Sequence, residues 1–209
     1  MFITFEALDG AGKSTQARLL AETLRKQGHD VVLTREPGGS PGAEEIRALI
    51  LQGDTDRWSP MTEILLFNAA RRDHLERTIL PALKRGAIVI CDRYVGSTLG
   101  LQVAGGEDRA MILKLHEIAC DGIMPDLTFY LDLDVEVSLA RSIGRLAAEV
   151  SAEDRFESKG DSFHRRVARE FEWQAKEFGW VRIDANRSIE AIHNSIAVEF
   201  ASRAFADAL

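Results

Sequence analysis

A loop that could hold phosphate groups follows the first apolar run of the chain. Its residues are Asp9, Gly10, Ala11, Gly12, Lys13, Ser14 and Thr15. Between a strand and a helix, such glycines let backbone amides turn towards phosphate oxygens, and the helix N-terminus adds partial positive charge. Lys13 would reach the outer phosphates and Ser14 would ligate Mg²⁺, so the loop predicts binding of a nucleoside triphosphate. It matches the Walker A motif except at Ala7, where the consensus has glycine.

A carboxylate that could support the metal follows another apolar run, Ala87 to Cys91. Asp92 comes directly after this run, which predicts a buried strand. Because the carboxyl ends of parallel strands lie at one edge of a sheet, Asp92 would lie beside the Walker A loop. There it would act like a Walker B carboxylate on the metal or its water; a plain strand-end cap is the alternative.

The rest of the chain has to distinguish among the many proteins that use a Walker A loop. A GTPase would need an Asn-Lys-x-Asp motif, but Asn68, Asn186 and Asn194 are followed by Ala, Arg and Ser. A kinase for a small phosphate-bearing acceptor needs a second, arginine-lined anion site and a lid that excludes water. Candidate arginines for these two tasks are Arg35, Arg47, Arg71, Arg93, Arg141, Arg145 and Arg155.

Five short apolar runs alternate with longer amphipathic stretches, which predicts a parallel sheet with helices on both faces. The predicted strands are Phe2 to Phe5, Val31 to Thr34, Ala87 to Cys91, Leu127 to Leu131 and Trp180 to Ile183. The first predicted helix follows Gly12 and runs to about Gln27. The others are Ala43 to Leu51, Ser59 to Leu83, Glu107 to Cys120, Val135 to Ile143, Ser162 to Phe178 and Ser188 to Phe205. Pro81 predicts a kink or break near Leu80. We expect a single α/β domain of the P-loop NTPase type over residues 1–209, with an irregular, arginine-bearing lid at about residues 144–160.

Composition narrows the possible partners and the cellular compartment. The chain has 209 residues and a formal charge of −7, with 33 acidic against 26 basic residues, which gives no electrostatic footprint for nucleic acid or an anionic membrane. The two cysteines, Cys91 and Cys120, are far apart in sequence and favour reduced thiols. No apolar run approaches the ~18 residues of a membrane span, and the N-terminus lacks a signal-peptide pattern. We therefore expect a cytoplasmic protein.

Seven ordered stretches of the chain together resemble the bacterial thymidylate kinase family. They lie at residues 5–15, 34–39, 66–71, 92–98, 125–128, 154–157 and 183–185. The resemblance implies transfer of a phosphoryl group from ATP to dTMP with Mg²⁺, giving dTDP and ADP, and it implies a homodimer. Two alternatives stay open: a nucleoside monophosphate kinase with another base preference, and a nucleotide-binding regulatory module that has lost catalysis.

The resemblance also implies roles on the acceptor side. Phe67 would stack on thymine and Arg71, four residues later on the same helix face, would donate to a base carbonyl. Arg47 and Arg93 would hold the acceptor phosphate with Glu36 beside them. The full acceptor set is Asp9, Glu36, Pro37, Arg47, Phe67, Arg71, Arg93, Ser97, Thr98, Leu101 and Gln102.

From the sequence alone, several of these acceptor-side residues have plainer explanations. Phe67 would be ordinary core. Glu36 and Arg47 would form a solvated ion pair. Thr98 and Gln102 would cap turns.

On the donor side, the resemblance implies contacts to ATP from the Walker A residues and from Arg141, Asp184 and Ala185. Arg141 could instead be a surface residue of a helix. The Walker loop carries no arginine, and in this family such loops go with a catalytic arginine in the lid, here Arg145 or Arg155. No general base is required, because the acceptor phosphate is already anionic. The predicted catalytic residues are Asp9, Lys13, Arg93, Arg145 and Arg155.

The chain departs from the family pattern at one acceptor-side position. Leu101 stands where the family usually has a tyrosine whose ring packs near the 2′ position of the sugar. Leu101 has no ring and no hydroxyl, so selection against ribose should be looser. The five histidines, His29, His74, His116, His164 and His193, show no metal-ligand spacing and are predicted to be solvated or packed at the surface.

Overall fold

The computed structural model describes residues 1–54, 56–148 and 159–204. Its strands are β1 Phe2–Glu6, β2 Val31–Arg35, β3 Ile88–Asp92, β4 Leu127–Asp132 and β5 Val181–Asp184. They form one sheet in the order β2-β3-β1-β4-β5, and every paired neighbour is parallel. All five predicted strands are confirmed, and no bound differs from the prediction by more than one residue.

Helices connect the strands in sequence order. They are α1 Lys13–Lys26, α2 Pro41–Leu51, α3 Pro60–His74, α4 Leu80–Lys84, α5 Val95–Gly105, α6 Arg109–Cys120, α7 Val135–Ala148, α8 Asp161–Glu177 and α9 Ile189–Ala204. A π-helical turn, Leu75–Ile79, joins α3 to α4. Pro81 cannot donate a backbone hydrogen bond, and the wider turn directly before it agrees with the predicted break near Leu80.

The apolar core lies on both faces of the sheet. On one face, Leu20 and Leu24 of α1 and Ile196 of α9 pack with residues of β1, β4 and β5. On the other face, Ile79 and Ile112 belong to a second buried cluster with residues of β3. The prediction of a parallel sheet covered on both faces is therefore confirmed.

Helix α5 is an element that the sequence analysis did not predict. Its sequence is rich in glycine and has little helical periodicity. Packing explains it, because a Cβ atom on Gly96 would lie 2.6 Å from the Trp180 ring and 2.9 Å from Glu6 Oε1. A Cβ on Gly100 would lie 3.2 Å from the ring of Phe171 in α8. The glycines let α5 approach its neighbours closely, and this tertiary contact outweighs their low helix propensity.

Helix α7 extends beyond the predicted boundary between helix and lid. Helix α7 continues to Ala148, so residues 144–148 are helical and the expected irregular start at Gly144 is wrong. Arg145 therefore has a helical backbone in α7. Residues 149–158, which include Arg155, lie outside the described residues.

Candidate active site

The phosphate loop connects the end of β1 to the start of α1, as predicted. Gly10 and Gly12 have φ angles of 79° and 93°, values that residues with side chains rarely adopt. A Cβ on Gly10 would also lie 2.6 Å from the backbone oxygen of Ser138, because α7 packs directly on the loop. The Ser138 hydroxyl donates to the backbone oxygen of Asp9, so α7 and the loop are joined.

Lys13 lies inside this loop and is almost completely buried. Its ammonium group donates to the backbone oxygen of Leu8 at 2.8 Å and lies 3.7 Å from Asp9 Oδ1. Burial, followed by the nearby positive charge of Arg93, lowers the pKa of Lys13 to about 8. A phosphate group bound in the loop would favour the charged form of this lysine.

Asp92 and Ser14 meet at the same edge of the sheet. The pairing of Phe5 with Asp92 places the end of β3 beside the phosphate loop, as the parallel sheet predicts. The Ser14 hydroxyl donates to Asp92 Oδ2, while the buried Asp92 Oδ1 has no hydrogen-bond partner among the described residues. A hydroxyl and a carboxylate with a spare oxygen are the hard oxygen ligands that Mg²⁺ prefers.

Arg93 begins the turn between β3 and α5 and reaches back to the phosphate loop. Its φ angle is 72°, a left-handed backbone conformation for a residue with a long side chain. The guanidinium donates to Ala7 O at 3.1 Å, to Ser97 Oγ at 2.8 Å and to Asp9 Oδ1. The structure therefore brings the predicted catalytic residues Asp9, Lys13 and Arg93 together.

Glu6, the last residue of β1, holds this turn in place. One carboxylate oxygen accepts from the backbone N–H of Tyr94 at 2.8 Å, and the other accepts from Ser97 Oγ at 2.5 Å. Burial raises the pKa of Glu6 to about 7, although the bond from Ser97 and the charge of Arg93 oppose this rise. Glu6 had no predicted role; the available signal was an ionisable residue that ends a largely apolar strand.

Arg71 lies in a second group of buried charges. Its Nε donates to Glu36 Oε2 at 2.8 Å and its Nη2 donates to Thr98 Oγ1 at 2.9 Å. The third nitrogen, Nη1, is buried and has no hydrogen-bond partner among the described residues. Its guanidinium carbon also lies 5.0 Å from the centroid of the Tyr94 ring. A buried guanidinium with one unused donor is suited to bind a carbonyl oxygen of a ligand.

The two groups converge on consecutive residues at the start of α5. Arg93 donates to Ser97 and Arg71 donates to Thr98. One short stretch of chain thus joins the phosphate loop to the buried guanidinium with the spare donor. A ligand with a phosphate at one end and a carbonyl at the other would fit this arrangement.

Comparison with known proteins identifies the family of this site. The family model described as "Thymidylate kinase" matches residues 5–196. The chain belongs to the thymidylate kinase family. Membership assigns to the chain the ATP-dependent phosphorylation of dTMP to dTDP, and it makes the chain an enzyme.

Individual thymidylate kinases are similar over most of their length. The chain is 54% identical to "Thymidylate kinase" of Ruegeria pomeroyi over 195 residues, which cover 92% of this chain and 90% of the relative. It is 56% identical to that of Caulobacter vibrioides over 167 residues, covering 79% and 78% of the two chains. The crystal structure of thymidylate kinase from Ehrlichia chaffeensis superposes with a TM-score of 0.74 at 33% identity, covering 96% of this chain and 98% of that one. The predicted α/β fold of the P-loop NTPase type is confirmed.

Within this thymidylate kinase fold, an apolar cluster lies beside Arg71. Phe67 is buried one helical turn before Arg71 in α3 and packs with Ile50 and the half-buried Leu101. Gln102 donates to Glu63 Oε1 at 2.5 Å, and both side chains are buried. The cluster is compatible both with a stacking role for Phe67 and with an ordinary core role.

The acceptor-side loop after β2 does not contain the solvated Glu36–Arg47 ion pair that was the plainer explanation from the sequence. Glu36 is buried rather than solvated, and its two oxygens contact Arg71 and His74. Arg47 in α2 donates instead to the backbone oxygen of Pro37 at 2.7 Å. The idea of a solvated Glu36–Arg47 pair is therefore wrong, because helix α3 covers the carboxylate.

The predicted donor-side residues lie in the phosphate loop, in the first turn of α1, on α7 and at the end of β5. Thr15 lies half-buried in the first turn of α1, and Ala11 is buried in the loop. Arg141 is exposed on α7, and its Cβ would lie 3.0 Å from a Cβ placed on Gly10. After β5, Asp184 accepts from the backbone of Asn186, and the buried Ala185 donates to Asp132 O at 2.8 Å.

Three of the five histidines do not lie at the surface, where they were predicted. His74, His116 and His164 are buried rather than at the surface. Burial lowers the pKa of His116 to about 4, and its ring packs edge-on against Tyr94. His74 lies directly against Glu36 in the acceptor loop. The absence of metal-ligand spacing gave no signal that His74 contacts a charged site.

None of the helices in the described part of the chain combines the length and apolar character required to cross a membrane. Cys91 and Cys120 are both buried and neither forms a disulfide.

Proposed function

We propose that this thymidylate kinase binds dTMP between the phosphate loop and the buried Arg71, and binds ATP on the loop itself. The observation that carries the proposal is the convergence of Arg93 and Arg71 on Ser97 and Thr98. This arrangement supports recognition of a nucleotide by its phosphate and its base simultaneously.

On the acceptor side, the unused Nη1 of Arg71 would donate to a carbonyl of thymine, and Phe67 would stack on the ring. Arg93 and Arg47 would hold the phosphate, and Asp9 would meet the sugar 3′-hydroxyl. The remaining residues of the proposed acceptor pocket are Glu36, Pro37, Ser97, Thr98, Leu101 and Gln102. Burial of Thr98 and Gln102 supports this placement over simple turn caps.

On the donor side, the loop amides and Lys13 would hold the phosphates of ATP, with Arg141, Asp184 and Ala185 nearer the adenosine. Ser14 and Asp92 fit Mg²⁺, because both present oxygen atoms. Asp92 Oδ1 has no hydrogen-bond partner among the described residues and could therefore ligate the metal. When bound, Mg²⁺ would neutralise charge on the transferring phosphates.

The chemistry requires positioning and charge stabilisation rather than proton abstraction. The acceptor phosphate oxygen is already anionic, so it attacks once it is aligned with the terminal phosphate of ATP. Lys13 and Arg93 would stabilise the charge on the transferring group, and Arg145 or Arg155 would add a further cation. Asp9 orients Arg93 through their ion pair.

We also infer a homodimer, located in the cytoplasm, with the whole of residues 1–209 forming one kinase domain. Exposed apolar residues on α3 and α6, Leu65 and Ile118, support a dimer surface. Two unpaired cysteines support a reducing compartment. The net charge of −7 gives no support for a nucleic-acid partner.

A coupled assay of ADP production tests the proposal. The full chain is supplied with ATP, Mg²⁺ and one nucleoside monophosphate at a time. We expect steady turnover with dTMP and much lower kcat/KM with dCMP, in which an amino group, a hydrogen-bond donor, replaces the 4-carbonyl of thymine. Higher efficiency with another base would favour a related monophosphate kinase, and no dTMP-dependent ADP would favour a regulatory module.

A further inference from the structure

Glu36 is held on both of its carboxylate oxygens. Oε2 accepts from Arg71 Nε at 2.8 Å, and Oε1 contacts His74 Nδ1 at 3.0 Å. Arg71 and His74 both belong to α3, so the carboxylate is clamped between two side chains of one helix. The side chains of all three residues are at most 4% exposed.

The far side of the His74 ring is anchored to the sheet. His74 Nε2 lies 2.7 Å from Thr34 Oγ1, near the end of β2. A carboxylate can only accept, so Nδ1 carries the proton towards Glu36. In the neutral ring, Nε2 then accepts the proton of the Thr34 hydroxyl. The ring orientation is thus fixed by one bond at each nitrogen.

The loop that carries Glu36 is fitted over this imidazole. A Cβ on Gly39 would overlap His74 Nε2 and Thr34 Oγ1, and Gly39 has a φ of 88°. Thr78, in the π-helical turn, donates to the backbone oxygen of Gly39 at 2.7 Å. The loop therefore has little freedom to move if His74 keeps its place.

We propose that His74 is a positioning residue for recognition of dTMP. It holds Glu36, which in turn orients Arg71 so that Nη1 points into the acceptor pocket. This relay, Thr34–His74–Glu36–Arg71, rests on the proposed contact between Arg71 and the base. Without the bond from His74, one oxygen of the buried carboxylate would lose its partner, and the Glu36–Arg71 pair would rearrange to restore it.

Three replacements of His74 in the full chain test the relay. His74→Asn places an N–H near the Nδ1 position, His74→Gln places its amide near Nε2, and His74→Leu removes both bonds. We expect KM for dTMP to rise about tenfold in the Gln and Leu variants and less than about threefold in the Asn variant. KM for ATP should not change. Similar KM values for dTMP in all three variants, or equal rises for both substrates, would overturn the proposal.

Arg71→Met supplies the reference that separates the relay from the base contact. Since His74 acts through Arg71, adding His74→Gln to Arg71→Met should change KM for dTMP by less than about twofold. Independent, multiplying effects would refute the relay. If Arg71→Met raises KM but the His74 variants do not, only the relay fails. If Arg71→Met itself leaves KM unchanged, the proposed base contact fails first.

Loss of folding is controlled by circular dichroism and thermal melting of each variant. If His74→Leu does not fold, Thr34→Val takes its place, because it removes the anchoring hydroxyl while preserving the shape of the side chain. A rise of a few-fold in KM for dTMP, with KM for ATP constant, is the expected result. An unchanged KM for dTMP in the folded Thr34→Val and His74→Gln variants would contradict the proposal.

Discussion

Replacing Glu6 by glutamine should remove a pH dependence from the stability of the fold. Glu6 is fully buried at the end of β1, where it accepts hydrogen bonds from Tyr94 N–H and from Ser97. Burial raises its pKa from 4.5 to about 7. Glutamine has nearly the same shape and retains an oxygen for the Tyr94 N–H, but it does not titrate.

The sign and size of the effect follow from this pKa. Between about pH 4.5 and pH 7 the folded protein keeps the Glu6 proton while the unfolded chain has released it, so stability falls as pH rises. A rise in pKa from 4.5 to about 7 corresponds to a loss of about 3 kcal/mol of unfolding free energy. This loss is complete once the pH exceeds the pKa of Glu6 in the folded protein. The stabilising contribution of Glu6 is therefore fully present only when the pH is below 4.5, the pKa of this residue in the unfolded chain.

Urea unfolding of both proteins between about pH 4 and pH 8 measures the effect. The free energy of unfolding of the wild type, relative to that of Glu6→Gln, should fall by about 3 kcal/mol across this range. Other titrating groups largely cancel in the difference. Glu22→Gln, at a partly exposed glutamate of α1, is the matched control for the substitution. A difference between wild type and Glu6→Gln that stays constant with pH would refute the assignment of a buried, proton-retaining Glu6.

Three further variants test the proposed site. Lys13→Ala should lower kcat by on the order of a hundredfold or more while retaining a native circular dichroism spectrum, because Lys13 stabilises transition-state charge and its own burial is costly; activity within a few-fold of wild type would remove Lys13 from the mechanism. Arg155→Ala should lower kcat much more than it raises KM for dTMP, whereas a change confined to KM would argue against a catalytic lid arginine. Leu101→Tyr should raise the ratio of kcat/KM for dTMP over its ribose counterpart, provided the ring fits beside Phe67. An unchanged ratio in an active variant would show that another residue excludes the 2′-hydroxyl.

Local sequence patterns determined the sheet and the phosphate loop. Buried parallel strands are continuous apolar runs, so β1 and β3 could be placed to within a residue. The loop between β1 and α1 carries its chemistry in consecutive residues, so its position required no knowledge of distant contacts. Asp92 could be placed beside it because parallel strands end at the same edge.

Helix α5 depended on tertiary structure. Its glycines weaken every local signal for a helix, and only the close approach of Trp180 and Phe171 explains why they are needed. The structure also corrected the predicted end of α7, which continues through Ala148 rather than ending at Ile143. The roles of Arg145 and Arg155 stay predictions.

The partners of buried charges were decided by the tertiary structure alone. The sequence placed Phe67 and Arg71 on one helix face, and both are buried there. Without the family resemblance it left a solvated Glu36 as one alternative, it predicted a surface position for His74, and it assigned no role to Glu6. All three residues are buried and hydrogen-bonded. A buried charge is stable only with partners, and those of Glu36 and Glu6 lie 35 or more residues away along the chain. Periodicity reveals which residues turn inwards, but the fold determines which polar groups meet.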